Sequence, residues 1–174
     1  MHNYQFPIAS ERLIYRQLKV EDQLQWQAFF VDNPYLHFVG VTESKSVEAH
    51  SKFWIDRQMK RYGETGIGIL GAFRKSDKAL IGNVGIIWRE DVLGENLYEI
   101  GYSVIPSEWG KGYATEMVIR FREYFEEHQI DKQVVSIIHI DNIASQRVAL
   151  NNGMTRGTQF EFHGSPCYLY YKVY

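Results

Sequence analysis

The order of apolar and polar positions along the chain predicts alternating short strands and helices. Arg12 to Leu18 alternates Leu13, Tyr15 and Gln17 against Arg12, Ile14, Arg16 and Leu18, the period of a strand. Val20 to Val31 reads as a helix that begins near Glu21-Asp22 and ends before Asn33-Pro34. Asn33 to Lys45 reads as a loop carrying Tyr35, His37 and Phe38. Ser46 to Tyr62 sets Phe53, Ile55 and Met59 on a charged background and predicts a second helix stopping at Gly63. Gly66 to Arg74 and Ala79 to Trp88 are apolar runs split by Lys75-Ser76-Asp77-Lys78, the pattern of a hairpin. Leu97 to Ile105 is a further strand.

The next segment changes period. Ala114, Met117, Val118, Phe121 and Phe125 recur every three or four residues, opposite Glu116, Arg120, Glu123 and Glu127, which predicts an amphipathic helix. Val134 to Ile140, "VVSIIHI", is almost continuously apolar, as in a strand buried on both faces. Ile143 to Asn152 predicts a short helix closed by Gly153, and Gly157 to Phe162 and Tyr168 to Tyr174 end the chain as strands. Strand, helix, buried strand implies one parallel crossover inside a sheet that is otherwise largely antiparallel.

Composition narrows the function classes. The 174 residues predict one domain, residues 1–174, and include no repeat or low-complexity stretch. A net charge of -2 gives no footprint for nucleic acid or an anionic membrane. No apolar run approaches the roughly 20 residues of a membrane span, and Met1-His2-Asn3-Tyr4-Gln5 lacks signal-peptide character. The one cysteine, Cys167, excludes an internal disulfide and predicts a reducing, cytoplasmic setting.

Two glycine patterns call for opposite readings. Gly66-Ile67-Gly68-Ile69-Leu70-Gly71 matches the dinucleotide pattern GxGxxG by letter, but its glycines lie in a strand that runs into a hairpin. The fingerprint needs a strand before it and a helix opening on it. "SEWGKGYATE", Ser107 to Glu116, matches no Walker rule, since Ile105 stands where the first glycine belongs. Its context is nevertheless right: it joins a strand to a helix N-terminus, whose unpaired N–H groups and positive dipole end favour a pyrophosphate. On position alone, the loop is either such a cradle or a tight turn that binds nothing.

"SEWGKGYATE", with "YEIGYSVIP" before it and "DNIASQRVALNNGM" after it, resembles the GNAT family of N-acetyltransferases. Within that family it is similar to the RimJ/RimL-like branch that acts on ribosomal-protein N-termini, and the likeness runs over nearly the whole chain. Ser107 occupies the place of the family's usual Gln or Arg, and Met154 replaces the usual Phe of the late Gly-Phe pair. The resemblance implies an α/β (α+β) GNAT fold, a mixed, mostly antiparallel seven-stranded sheet with a central parallel pair and about four flanking helices. It implies acetyl-CoA as cosubstrate and no metal, with the pyrophosphate on the loop of Trp109, Gly110, Lys111, Gly112, Tyr113, Ala114 and Thr115. The pantetheine arm would pair like an extra strand with Val104 and Ile105, between strands Leu97–Ile105 and Val134–Ile140 splayed to admit it. Asn142 is a helix N-cap by propensity and, by resemblance, also a contact of that arm. The resemblance leaves a homodimer open, and no sequence feature decides it.

Acetyl transfer from a thioester needs a neutral amine, a stabilised oxyanion and a departing thiolate. An α-amine, with a pKa near 7.7–8.0, is partly neutral already, whereas a lysine side chain near 10.4 is not. An enzyme for α-amines therefore needs only a modest base. Glu99, in the strand before the loop, is the candidate base; the alternative is a solvent-facing carboxylate paired with a basic neighbour. Glu161 is a weaker candidate. The resemblance puts Ser145 near the thioester sulfur as a proton donor, while Ala149 stands where many relatives carry a tyrosine acid. Lys111 reads either as a phosphate ligand or as a solvated loop tip. His139 reads as a core histidine, and Cys167 has no visible base partner. No His, Cys, Asp and Glu set has metal-ligand spacing. The expected acceptor is a protein N-terminal amine, with Tyr35–Val41 and Ser46–Tyr62 as its wall. A polyamine acceptor would need several carboxylates gathered together, from candidates such as Glu43, Glu48, Asp91 and Glu95. A non-catalytic acyl-CoA-binding domain is the third reading.

Overall fold

In a computed structural model that describes residues 2–42 and 44–174, eight strands form one sheet in the order β1-β2-β3-β4-β5-β6-β8-β7. They are β1 (Ile8–Ala9), β2 (Leu13–Arg16), β3 (Ile69–Arg74), β4 (Leu80–Val92), β5 (Glu95–Val104), β6 (Gln133–His139), β7 (Thr155–Phe162) and β8 (Ser165–Val173). The helices are α1 (Gln23–Trp26), α2 (Val47–Thr65), α3 (Tyr113–Glu127) and α4 (Ile143–Asn151). Each neighbouring pair is antiparallel except β5 and β6, which α3 joins as a parallel crossover. This is the expected mixed sheet with four helices and one strand more than the seven read from the pattern. The extra strand, β1, is two residues long and too short to show a period.

Several predicted boundaries move for identifiable reasons. Val20–Val31 is one continuous rod, but only Gln23–Trp26 is α-helical, between two 3-10 turns. Side chains three apart eclipse in a 3-10 turn, and here Trp26 and Phe29 stack with ring centroids 4.7 Å apart. Helix α2 runs through Gly63 and stops at Gly66, which is left-handed at φ 74°. A glycine in a helix interior costs only about 1 kcal/mol, so it need not end one. A Cβ at Gly66 would fall 2.0 Å from Asn3 Oδ1, so that position suits glycine on two counts. Strands β7 and β8 begin earlier than predicted because Thr155, Arg156 and Ser165 are polar and hide the strand period.

The alternation in β5 and the stripe on α3 bury one core between them. Met117, Val118, Phe121 and Phe125 of α3 pack against Leu70, Val84, Ile86, Ile100 and Val104 of the sheet. A second cluster, Trp26, Phe29, Phe30, Ile55 and Phe73, fills the opposite side beneath α1 and α2.

The start of α3 is tied to the beginning of the chain. Glu116, in its first turn, accepts hydrogen bonds from Ser10 Oγ (2.7 Å), the Arg12 amide (2.8 Å) and Arg12 Nε (2.7 Å). Burial raises the Glu116 pKa, but these donors outweigh it and hold the carboxyl below its ordinary value. The carboxylate also meets the positive end of the helix dipole. A group with a depressed folded pKa adds stability above its unfolded pKa, about 4.3, and loses it as pH falls through the folded value. Glu116→Gln should cost about 1–3 kcal/mol in urea unfolding at pH 7. The gap to the wild type should shrink as the pH falls below about 4.3.

Candidate active site

Strands β5 and β6 pair only at Tyr98↔Val134 and Glu99↔Val135, although β5 continues to Val104 and β6 to His139. Past Glu99 the two part, as expected from the resemblance. The gap opens a cleft of about 530 Å³ walled by both strands, by α2, by the 3-10 turn Leu36–Val39 and by the start of α4.

The exposed inner edge of β5 is partly covered by side chains. Ser136 Oγ donates to the Ile100 carbonyl (2.9 Å), and Trp109 Nε1 donates to the Val104 carbonyl (2.7 Å). The Ile105 amide is turned the other way and donates to Ile81 of the neighbouring chain segment (3.0 Å). Strand alternation therefore points the peptide groups of Tyr102 and Val104, not that of Ile105, toward the gap. A strand-like arm entering here would pair with Tyr102 and the Val104 amide. The wall also holds polar atoms sealed from solvent without partners, both of them on the Asn83 side chain. Buried polar groups in native proteins are nearly always satisfied, so these fit a site completed by a polar ligand.

Beyond Val104 the chain turns through Pro106–Glu108 into the glycine loop. Gly110 and Gly112 are left-handed, at φ 75° and 81°, and Gly112 caps α3 with no side-chain cap bond. A Cβ at Gly110 would meet nothing within 4 Å, so the loop's amides stand open. Tyr113, Ala114 and Thr115 form the first turn, whose N–H groups aim outward from the helix end. Lys111 is half exposed at the loop, with its Nζ 3.0 Å from Glu108, which also pairs with Arg74. Arg12, stacked over Tyr113 and bonded to the Lys111 carbonyl, adds a guanidinium to the loop's flank. No local pattern signals Arg12 or Arg74 as neighbours of this loop, because both come from distant parts of the chain, Arg12 just before β2 and Arg74 at the end of β3.

Glu99 lies in the cleft wall, paired with a basic neighbour as one reading expected but not facing solvent. It is buried, with 6% exposure, and Arg89 Nε donates to its Oε2 at 2.5 Å. Its Oε1 makes no hydrogen bond among the described residues and is not among the solvent-sealed atoms. A carboxylate held at one oxygen and open at the other can orient and accept a proton. Glu161 is exposed on β7 and is not part of the wall.

Asn142 caps α4, its Oδ1 accepting the Ser145 amide at 3.1 Å, so the propensity reading holds and its amide nitrogen remains available. Ser145 lines the same cleft beside Tyr102. Burial raises the Tyr102 pKa to about 12, while the Ser145 hydroxyl acts to lower it. Sequence reasoning passed over Tyr102 as a strand residue and looked for a tyrosine at position 149. Ala149, on α4, is buried in the core.

Two other expectations change. His139 is not a core histidine: it is half-buried at the end of β6, lines the cleft, and stands against Phe38 with ring centroids 4.9 Å apart. Cys167 does line the cleft, but burial and the Glu99 charge both push its thiol up, which keeps it protonated and poorly nucleophilic. The Gly66–Gly71 pattern is a helix cap running into β3 and then β4, without the helix that a dinucleotide fold requires. Among the described residues no group of three or more His, Cys, Asp or Glu is arranged to hold a metal.

Sequence and structure comparisons agree with this geometry. The model of the acetyltransferase (GNAT) domain matches residues 12–155. The uncharacterized N-acetyltransferase YoaA of Bacillus subtilis (strain 168) is 28% identical over 152 residues, 87% of this chain and 84% of that protein. An acetyltransferase from Agrobacterium tumefaciens str. C58 superposes with a TM-score of 0.80 at 20% identity, covering 100% of this chain and 98% of that one. The ribosomal-protein-S5-alanine acetyltransferase from Vibrio fischeri superposes with a TM-score of 0.73 at 16% identity, over 97% of each chain. With a family match over most of its length and a parted-strand cleft beside a glycine loop, the chain belongs to the GNAT family and is an acetyl-CoA-dependent N-acetyltransferase.

Proposed function

We propose that the acceptor is an α-amine, with protein N-termini as its class, as in the ribosomal-protein branch of the family. The observation that carries this reading is the single carboxylate, Glu99, among the described residues of the cleft wall. A lysine side chain costs about 3.4 kcal/mol more to deprotonate than an α-amine, at 1.36 kcal/mol per pKa unit. One ion-paired carboxylate is a modest base, suited to the easier task. Polyamine recognition needs several carboxylates, and Glu48, Asp91 and Glu95 lie outside the wall, while Glu43 falls outside the described residues. The shared fold of the Vibrio fischeri protein is in keeping with this branch.

In this reading acetyl-CoA supplies the thioester and a thiolate leaving group. The amides of Gly110 to Thr115, with Trp109 and Lys111 at the loop's rim, would hold its pyrophosphate. Tyr102 and Val104 would pair with the pantetheine arm, which Asn142 would also contact through its free amide. Glu99 takes the proton from the attacking amine, directly or through water. Ser145, backed by Tyr102, donates a hydrogen bond to the departing sulfur. With an ordinary thiol pKa near 8.5, the leaving group needs no stronger acid. Cys167, a single buried thiol, fits a reducing cytoplasmic setting.

The test is free-thiol release from acetyl-CoA with peptides bearing free N-termini, N-blocked peptides with an internal lysine, and polyamines. Release with free N-termini alone is the expected result; release with polyamines alone would overturn the acceptor assignment. Glu99→Gln should lower kcat at neutral pH by about 10²-fold or more, the usual scale of general-base catalysis, with acetyl-CoA affinity nearly unchanged by calorimetry. Gly112→Val should do the reverse. A β-branched residue is strained at φ 81°, so the loop would be disturbed and acetyl-CoA binding weakened about tenfold or more, or 1.4 kcal/mol per decade.

A further inference from the structure

The charged groups of the cleft are unevenly matched. Among the described residues, three guanidinium groups, Arg57, Arg61 and Arg89, line it with one carboxylate, Glu99. The only ion pair among them is Arg89 with Glu99. Arg61 donates to the neutral Gln58 side chain (3.1 Å), and Arg57 makes no hydrogen bond or ion pair with any described residue. Trp54, Arg57, Gln58 and Arg61 follow helical spacing, so α2 presents one face of four residues to the cleft. Like charges four apart on a helix repel. Burial and then the charges of Arg57 and Arg89 pull Arg61 down to about 10, against the pull of Glu99. Arg57 is lowered in the same way, first by burial and then by Arg89. This local excess of positive charge sits in a chain whose net charge is -2. It lies on α2 beside Glu99, in a cleft whose described lining includes no residue of the glycine loop.

From this juxtaposition we infer that the acceptor carries an anionic group, a carboxylate or a phosphate, beside its reactive amine, held by Arg57 and Arg61 while Arg89 stays with Glu99. Guanidinium groups suit this task because their planar forks match carboxylate and phosphate oxygens. The anion would relieve the repulsion along α2 and hold the amine near the free oxygen of Glu99. The same charge disfavours a polyamine, whose distal ammonium groups would meet the arginines. The inference rests on reading this cleft as the acceptor site. It narrows the acceptor to acidic N-terminal peptides, free amino acids or phosphate-bearing amines.

The test is a charge series with one reactive amine. The probes are N-terminal serine peptides followed by two Asp, two Gln or two Lys, together with free glutamate and O-phosphoserine. Turnover is read as kcat/KM, and binding is read separately by anisotropy of labelled peptides in the presence of free CoA. The acidic peptide should exceed the glutamine peptide by about tenfold and the lysine peptide by more, with the difference mainly in KM and reduced by added salt. Arg57→Gln with Arg61→Gln should collapse that advantage, and Arg57→Glu with Arg61→Glu should reverse it. Unchanged acetyl-CoA affinity would show that these variants fold. Which acidic probe turns over best distinguishes a protein N-terminus from a small acidic amine. Charge-independent kcat/KM and binding in the wild type, or a preference that survives both substitutions, would overturn the inference. If acidic peptides bind through the arginines but none is acetylated, the charge assignment stands and the proposed N-terminal acceptor falls. The wild-type series decides the matter even where a variant fails to fold.

Discussion

Two neighbouring strands stop bonding in the middle of a sheet, and the rest of the molecule is arranged around that break. Each strand residue left without a neighbour exposes an N–H and a C=O that must be met elsewhere. The chain meets two such carbonyls with side chains, Ser136 at Ile100 and Trp109 at Val104. Between them it leaves Tyr102 bare. The crossover helix α3 starts just past the break, so the open edge and the open helix end belong to one continuous surface. A cosubstrate with an amide-bearing arm and a pyrophosphate has the chemistry to satisfy both.

The acceptor side of the cleft obeys a different constraint. Its proposed base is one buried carboxylate tethered at one oxygen, and the remaining charge among the described residues is cationic. This combination separates two tasks that a second carboxylate would confuse. On the proposed reading, proton removal falls to Glu99, while holding the acceptor falls to arginines on a helix that takes no part in the chemistry. A helix face is a stiff support, so the two tasks can be set at fixed spacing.

Much of this was legible in the chain. The strand period of Leu97–Ile105, the stripe on α3 and the two glycines of "WGKGYATE" are local signals, and each led to the right element. Glu99 was legible too, since a carboxylate in an otherwise apolar strand stands out. What remained hidden is what depends on register and on distant partners. Nothing near Arg89 in sequence says that it will hold Glu99 from the next strand, ten residues away. Ser46–Tyr62 was read as part of the acceptor wall, but nothing in its charged background singles out Arg57 and Arg61 as the residues that face the cleft. His139 was misread because an apolar strand suggests burial in the core along its whole length, whereas β6 passes the break and its last side chain faces the cleft.

The bare edge of β5 has a consequence for turnover. Pairing between a backbone edge and an amide-bearing arm, and cradling of a pyrophosphate, do not depend on whether the acetyl group is still attached. Contacts of this kind bind the spent carrier about as well as the loaded one, because they favour ground state and transition state equally. Free CoA should therefore linger after transfer and compete with the next acetyl-CoA. The rate of the enzyme in a cell would then follow the ratio of acetylated to free carrier more closely than the amount of either alone.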